Sequence, residues 1–257
     1  MLCDSAESQN DRIALTLSAQ PLPHMKKTAH RPIYLKALLL ILRPFAGAIR
    51  YGALKLMKRM RRPGDKRPII ATSEHLLNEI IIPSVFRAFS DPIFREHASF
   101  KALSREEHDR IFNELQVAGI YSAMVHLNTA KSAVRSEDYH FWQEVEEHLP
   151  LQFQKILMGY GVDGSNAKLM RKLIDLRGTE YAELQTHILD ANNEAGKEFK
   201  TLSSNMKRIA SAMQAIAIGT ADHIRRGKIK EGDPLIRNLT TWLIFLQGKF
   251  RKFVRHL

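Results

Sequence analysis

The sequence predicts an all-α protein: a multi-helix bundle preceded by an N-terminal basic amphipathic helix and a disordered N-terminal tail. Three observations carry this prediction. Apolar residues recur at helical spacing through successive segments, no segment of useful length alternates at the period of a strand, and helix-starting and helix-stopping residues fall between the segments. With 257 residues, of which 44% are hydrophobic, the chain can bury a sizeable core. It contains no internal repeat.

Residues 1–32 are expected to form a disordered or targeting tail, polar at first and turn-rich at Pro21 and Pro23. Met25, followed by Lys26 and Lys27, is an alternative start. Residues 33–68 form a basic amphipathic segment and linker. No Asp or Glu lies between Asp11 and Asp65, and Lys36, Arg43 and Arg50 recur every seven positions, nearly aligned on one helical face. Leu35, Leu38, Leu39, Leu42 and Ile49 fill much of the rest, and Pro44 is expected to kink the helix. A membrane-spanning helix needs roughly 20 mostly apolar residues. Lys36, Arg43, Arg50 and Lys55 interrupt every such window, so the segment is expected to lie in an interface rather than cross it. The same Arg-rich, acid-poor composition also resembles an organelle transit peptide. The breaker-rich run from Arg61 to Pro68 marks a boundary.

Residues 69–257 are expected to be the bundle, ending in a basic aromatic helix. Ile69 to Ala71 reads as a β-like run too short to found a sheet. A helix over 73–89 starts near Ser73 and carries Leu76, Leu77, Ile80 and Ile81, and Pro83 is expected to break it. Asp91-Pro92 has the cap-then-proline order that opens a helix. Ser104 to Glu107 has a capping-box pattern opening a helix to about residue 134. Its stretch Val117 to Leu127 is apolar on nearly all sides, as in a central, buried helix. Ser136 caps the next helix, with Trp142, Val145, Leu149, Phe153 and Ile156 on one stripe and a kink expected at Pro150. Gly159, Gly161 and Gly164 read as a helix stop and turn rather than a phosphate cradle. Helix 165–195 takes Leu169, Leu173, Leu176 and Leu184 as its core stripe. Helix 200–226 carries Ala210, Ala212, Ala215, Ala217 and Gly219, small enough for close helix packing. Asp233-Pro234 opens the final helix.

Charge is distributed unevenly. Residues 1–70 hold 14 Lys and Arg against 4 Asp and Glu, residues 71–200 hold 14 against 20, and residues 201–257 hold 11 against 3. Basic ends around a mildly acidic middle attract polyanions such as membrane headgroups or nucleic acid. The single cysteine, Cys3, excludes an internal disulfide and a cysteine metal cluster within one chain. A thiol in a floppy tail cannot preorganise nucleophilic catalysis. There is no Gly-x-Ser-x-Gly elbow and no Walker A loop.

One constellation has the residue types for a metal. Glu180 and His187 fall on the leucine stripe of helix 165–195 with Glu183 beside them, and Glu114 and His126 on helix 104–134 could face them. Carboxylates and histidines inside a bundle are the ligand set of non-haem iron or manganese, the basis of an alternative reading as a metal-dependent oxidoreductase. The same residues form plain cross-core hydrogen bonds in many proteins, and the two Glu-x-x-His repeats that di-iron bundles need do not both occur, since only Glu137 and His140 have that spacing. The leading reading predicts no cofactor. Glu144, Glu147 and His148 read as a solvated face.

The final helix places Trp242, Phe250 and Phe253 on an apolar side, with Arg251 and Lys252 around it. That is the composition of a membrane-surface helix. The expected contacts with an anionic membrane are therefore Lys36, Arg43, Arg50, Lys55, Lys58 and Arg59 at one end, and Trp242, Phe250, Arg251, Lys252 and Phe253 at the other. The leading expectation is a non-catalytic, intracellular, peripheral membrane protein acting as an interaction or lipid-binding module, with the 33–60 segment as main anchor aided by the final helix and a protein partner as a further expectation. Interleaved Phe and Lys/Arg over 249–255 also suit a nucleic-acid-binding adaptor, although no helix-turn-helix, zinc-finger or RNA-recognition signal accompanies them.

Overall fold

The computed structural model describes residues 51–62, 64–131, 136–195, 199, 201–230 and 232–257. The tail over 1–32, and Lys36, Arg43 and Arg50 of the amphipathic segment, lie outside them. The chain divides into two compact units, Met1–Arg59 and Met60–Leu257. In the first, residues 51–59 are helical and carry Lys55, Lys58 and Arg59.

The second unit is an all-α bundle. Among its described residues are eight α-helices from Arg67 onward and no strand. They are α1 (Arg67–His75), α2 (Ile82–Ser90), α3 (Pro92–His97), α4 (Arg105–Lys131), α5 (Ser136–Gly159), α6 (Gly164–Ala195), α7 (Ser204–Arg225) and α8 (Pro234–His256). Helix α4 is the centre and packs against α2, α5, α6, α7 and α8. Its burial explains this: Ile111, Leu115, Val117, Ala118, Ile120, Ala123 and Leu127 all lie in the core. Such all-round apolarity has no solvent face to satisfy, so the helix is enclosed.

Helix starts follow the local chemistry. Asp91 accepts hydrogen bonds from the amides of Ile93 and Phe94 at 2.9 Å, and Asp233 accepts from Leu235 at 2.8 Å, both ahead of a proline at the first helical position. Ser104 accepts from Glu107 N–H at 3.4 Å. The glycines at 159, 161 and 164 have the spacing of a nucleotide-binding turn, but they join two helices. That fingerprint requires a preceding strand, so they serve as a helix stop and turn, with Gly161 at φ 90°.

Several expectations are corrected. Residues 69–71 are helical, because α1 begins at Arg67 with Pro68 in its first turn. Pro83 does not break the chain's course. Between α1 and α2, residues Leu76–Ile81 widen into a π-helical turn, and the Ile82 amide donates to Leu77 O. A proline has no N–H and its ring collides with the carbonyl four residues back, and a widened turn just before it relieves both problems. On α6 the core stripe is Ala167, Met170, Ile174 and Tyr181, while Leu169 and Leu176 are exposed. Both stripes have helical spacing, and the bulk of Tyr181 rather than leucine content selects the buried one. Glu144 is not a solvated face: it pairs with Arg61 and Lys66 and so pins the basic linker to α5.

Candidate functional site

Two surfaces hold the residues singled out by the sequence. The first is a cleft of about 790 Å³ between α4, α6 and the end of α7. Helix α6 presents Arg177, Glu180, Glu183 and His187 to it, spaced one turn apart, α4 adds Arg110 and Glu114, and α7 adds Asp222 and His223. Close helix approach builds this wall. A Cβ on Gly219 would stand 2.6 Å from the Tyr181 ring, and one on Gly178 would stand 3.0 Å from the Tyr121 ring. Tyr181 is fully buried and exchanges a 3.0 Å hydrogen bond with Thr220.

The cleft's charges are spent on one another. Arg177 donates two hydrogen bonds to buried Glu114, at 2.8 and 3.1 Å, and two to Glu180, at 3.0 and 3.2 Å. Glu180 lies 2.8 Å from the Nε2 of His223. Burial works against the Arg177 charge, but the hydrogen bonds and charge of Glu114, with those of Glu180, outweigh it and hold its pKa above the ordinary arginine value. Burial, reinforced by the Glu114 charge, pushes the Tyr181 phenol up. Arg110 donates to the last carbonyls of α7, those of His223 and Ile224, and pairs with Glu107, which also takes Arg226. The Arg110 and Arg226 partners hold the Glu107 carboxyl below its ordinary pKa despite partial burial.

The five metal candidates are therefore divided. Glu114, Glu180, Glu183 and His187 line this cleft, with Glu114 and Glu180 taken by Arg177. His126 lies elsewhere, in the core between α4 and α8, where its Nδ1 is 2.7 Å from Gln247 Oε1. Gln247 in turn donates to Ser122 O at 3.0 Å and Ser122 Oγ at 2.9 Å. Because the Gln247 amide nitrogen is committed to Ser122, its oxygen faces His126, and Nδ1 carries the proton. Burial lowers the His126 pKa. Among the described residues, no group of three or more His, Cys, Asp or Glu is arranged to hold a metal ion.

The second surface is the outer side of α8 with the start of α3. Phe250 and Phe253, expected at a membrane, are only 1% and 6% exposed and belong to the core. The apolar residues that do face outward are Ile244 and Phe245, 61% and 46% exposed, and Ile93 on α3 at 57%. At 100° per residue, Ile244 and Phe245 share their side of α8 with Arg237, Arg251, Lys252 and Arg255, all exposed. Arg251 and Lys252 thus point outward as expected. Helix α8 contains no acidic residue. Arg87 lies over the Phe245 ring at 5.8 Å and Lys249 over the same ring at 4.9 Å. Beneath Phe245 an apolar groove of about 380 Å³ runs between α2, α3 and α8, with Trp242 in its wall. The indole Nε1 of Trp242 donates to Ser84 Oγ at 3.1 Å.

No family model, curated protein or solved structure matches this chain.

Sequence reasoning took the side of α8 with Phe250 and Phe253 as the outward one, and the structure buries that side. Both sides carry aromatic residues, and the signal that separates them is where the cations fall: Arg237, Arg251, Lys252 and Arg255 lie on the side of Ile244 and Phe245. The contacts that convert the cleft into a network between helices, Arg177 to Glu114, Arg110 to the His223 carbonyl and His223 to Glu180, were missed because each joins groups far apart in sequence.

Proposed function

We propose that this protein is a non-catalytic, peripheral module that binds anionic membrane surfaces inside the cell through the outer face of α8. One observation carries the reading. Arg237, Arg251, Lys252 and Arg255 share the side of α8 that exposes Ile244 and Phe245, Arg87 and Lys249 lie against the Phe245 ring, and none of the six has an acidic partner among the described residues. Cations left unpaired around exposed apolar side chains match an interface in which headgroups supply the anions and acyl chains the apolar phase. Each Lys or Arg near an anionic surface contributes about 1 kcal/mol, and a fully buried Ile or Phe about 1.5–3 kcal/mol. Charge therefore supplies the larger share of attraction, and apolar insertion makes it resistant to salt. The acid-free segment over 33–60 acts as a second anchor in this proposal. No helix among the described residues is long and apolar enough to cross a membrane.

Co-sedimentation of the full chain with phosphatidylglycerol and phosphatidylcholine vesicles tests this, with competing DNA in parallel. Binding to the anionic vesicles alone is expected, with a fraction that survives a salt concentration at which the Debye length is about 8 Å. Absence of vesicle binding, or binding to DNA with a steep salt dependence that DNA-free vesicles do not share, refutes the proposal and favours a nucleic-acid adaptor.

A further inference from the structure

We propose that the groove beneath Phe245 holds one acyl chain of an anionic lipid, with its headgroup at Arg87 and Lys249. This rests on the membrane reading above, because the bilayer supplies the lipid. The groove's volume of about 380 Å³ falls in the range of small-ligand sites. Its floor and walls are Ala88, Ile93, Phe94, Leu239, Trp242 and Phe245, which offer a chain no polar group to desolvate except the Trp242 N–H, and that bond is already made to Ser84. Asp91 and the polar Asn238 and Thr241 complete the lining. Asp91 is the one acid there, and one of its carboxylate oxygens accepts from both the Ile93 and Phe94 amides at the start of α3. Arg87 lines the groove and reaches the Phe245 ring, and Lys249 sits on the same ring, so two cations without acidic partners stand where a headgroup would emerge.

The roomier Arg177 cleft makes the contrast. Its cations are saturated by Glu114, Glu180, Glu107 and Asp222, so an incoming anion would have to displace ion pairs already formed. At the groove nothing has to be displaced.

Trp242 is a built-in reporter, since the only other tryptophan, Trp142, is 1% exposed. The probe is lysophosphatidylglycerol with a brominated chain, added below its micelle concentration to the full-length protein. Brominated-chain lysophosphatidylcholine is the headgroup control. The expected result is saturable quenching by the phosphatidylglycerol form, lost in Trp242→Phe and shifted to about tenfold higher concentration in Arg87→Glu, a change of about 1.4 kcal/mol. Arg87 is exposed, so its replacement leaves the fold intact. No quenching below micelle formation, quenching that persists in Trp242→Phe, an unchanged midpoint in Arg87→Glu, or an equal response to the phosphatidylcholine form each overturns the proposal. Vesicle sedimentation of the same preparations separates the two readings. Vesicle binding without monomer quenching keeps the surface contact and removes the groove, and quenching without vesicle binding does the reverse.

Discussion

The Arg177 cleft and the outer face of α8 are built from similar residue types and are put to opposite use. In the cleft every cation is answered: Arg177 by Glu114 and Glu180, Arg110 and Arg226 by Glu107, and Lys228 by Asp222 at 3.6 Å. On α8 the cations make no ion pair among the described residues: the helix has no acid, α2 contributes only Arg87, and Asp91 beside it accepts from the Ile93 and Phe94 amides. Saturated charge fixes how α4, α6 and α7 meet. Unsaturated charge, with Ile244 and Phe245 among it, stays available to something outside the chain. The lesson is that count and type of charged residues do not separate architecture from binding, whereas pairing does.

The largest expected effect tests the architectural half. Arg177→Met leaves Glu114, 5% exposed at its side chain, buried without its partner. Removing one member of a buried pair costs about 3–5 kcal/mol, read as a lower urea midpoint. Replacing both residues, Arg177→Met with Glu114→Leu, is expected to recover most of that loss, since an apolar pair needs no charge compensation. A double variant as weak as the single one would mean that Arg177 acts through Glu180 instead. Vesicle binding should be unaffected in both.

Next in size is Gly219→Ala, which places a methyl group 2.6 Å from the Tyr181 ring. The ring is locked between α6, Thr220 and Tyr121 and cannot move aside cheaply. Overpacking of this kind costs about 1–3 kcal/mol. The same substitution at Gly248, where a Cβ meets nothing within 4 Å, serves as the control and should not destabilise.

The helical architecture was legible because each helix announces itself locally. Asp91-Pro92, Ser104 and Asp233-Pro234 cap the starts they were expected to cap, and the apolar run Val117 to Leu127 is the middle of the central helix. What could not be read was decided between helices. On α6 the choice between the stripe of Leu169 and Leu176 and the stripe of Ile174 and Tyr181 depends on Gly219 opposite, 38 positions after Tyr181. Glu180 and Glu114, expected as candidate metal ligands, line one cleft, where an arginine three residues before Glu180 binds both. On α8 the side facing inward is set by contacts with α4, where Gln247 bonds His126 and Ser122.

That last network gives a smaller, pH-dependent effect. Burial disfavours the His126 imidazolium, with the Arg251 charge acting in the same direction, so the folded-state pKa lies below the ordinary 6.5. The unfolded chain takes up the proton at about 6.5 while the folded one resists it. The stability contributed by neutral His126 is therefore complete above that pH and is lost as pH falls through it toward the lowered value. His126→Asn keeps a donor at the Nδ1 position for Gln247 but cannot titrate. The difference in urea midpoint between neutral and mildly acidic buffer should shrink in this variant, and an unchanged difference would assign the acid sensitivity to other groups, such as His148, whose pKa burial also lowers.

The smallest effects on stability belong to the variants that act on binding. Ile244→Ser with Phe245→Ser removes the exposed apolar pair from α8 without touching Leu243 or Leu246, which carry that turn into the core. Surface changes of this kind alter stability by about 0.5 kcal/mol or less. Vesicle binding is expected to lose its salt-resistant fraction, while the electrostatic fraction persists because Arg251, Lys252 and Arg255 remain. Reversing charge instead, with Arg251→Glu and Lys252→Glu, should remove the electrostatic fraction at equal stability. If the serine variant unfolds more readily by several kcal/mol, the pair is packing rather than presentation. The division between a saturated architectural region and an unsaturated binding face would then fail at the face, while the prediction for Arg177 would stand.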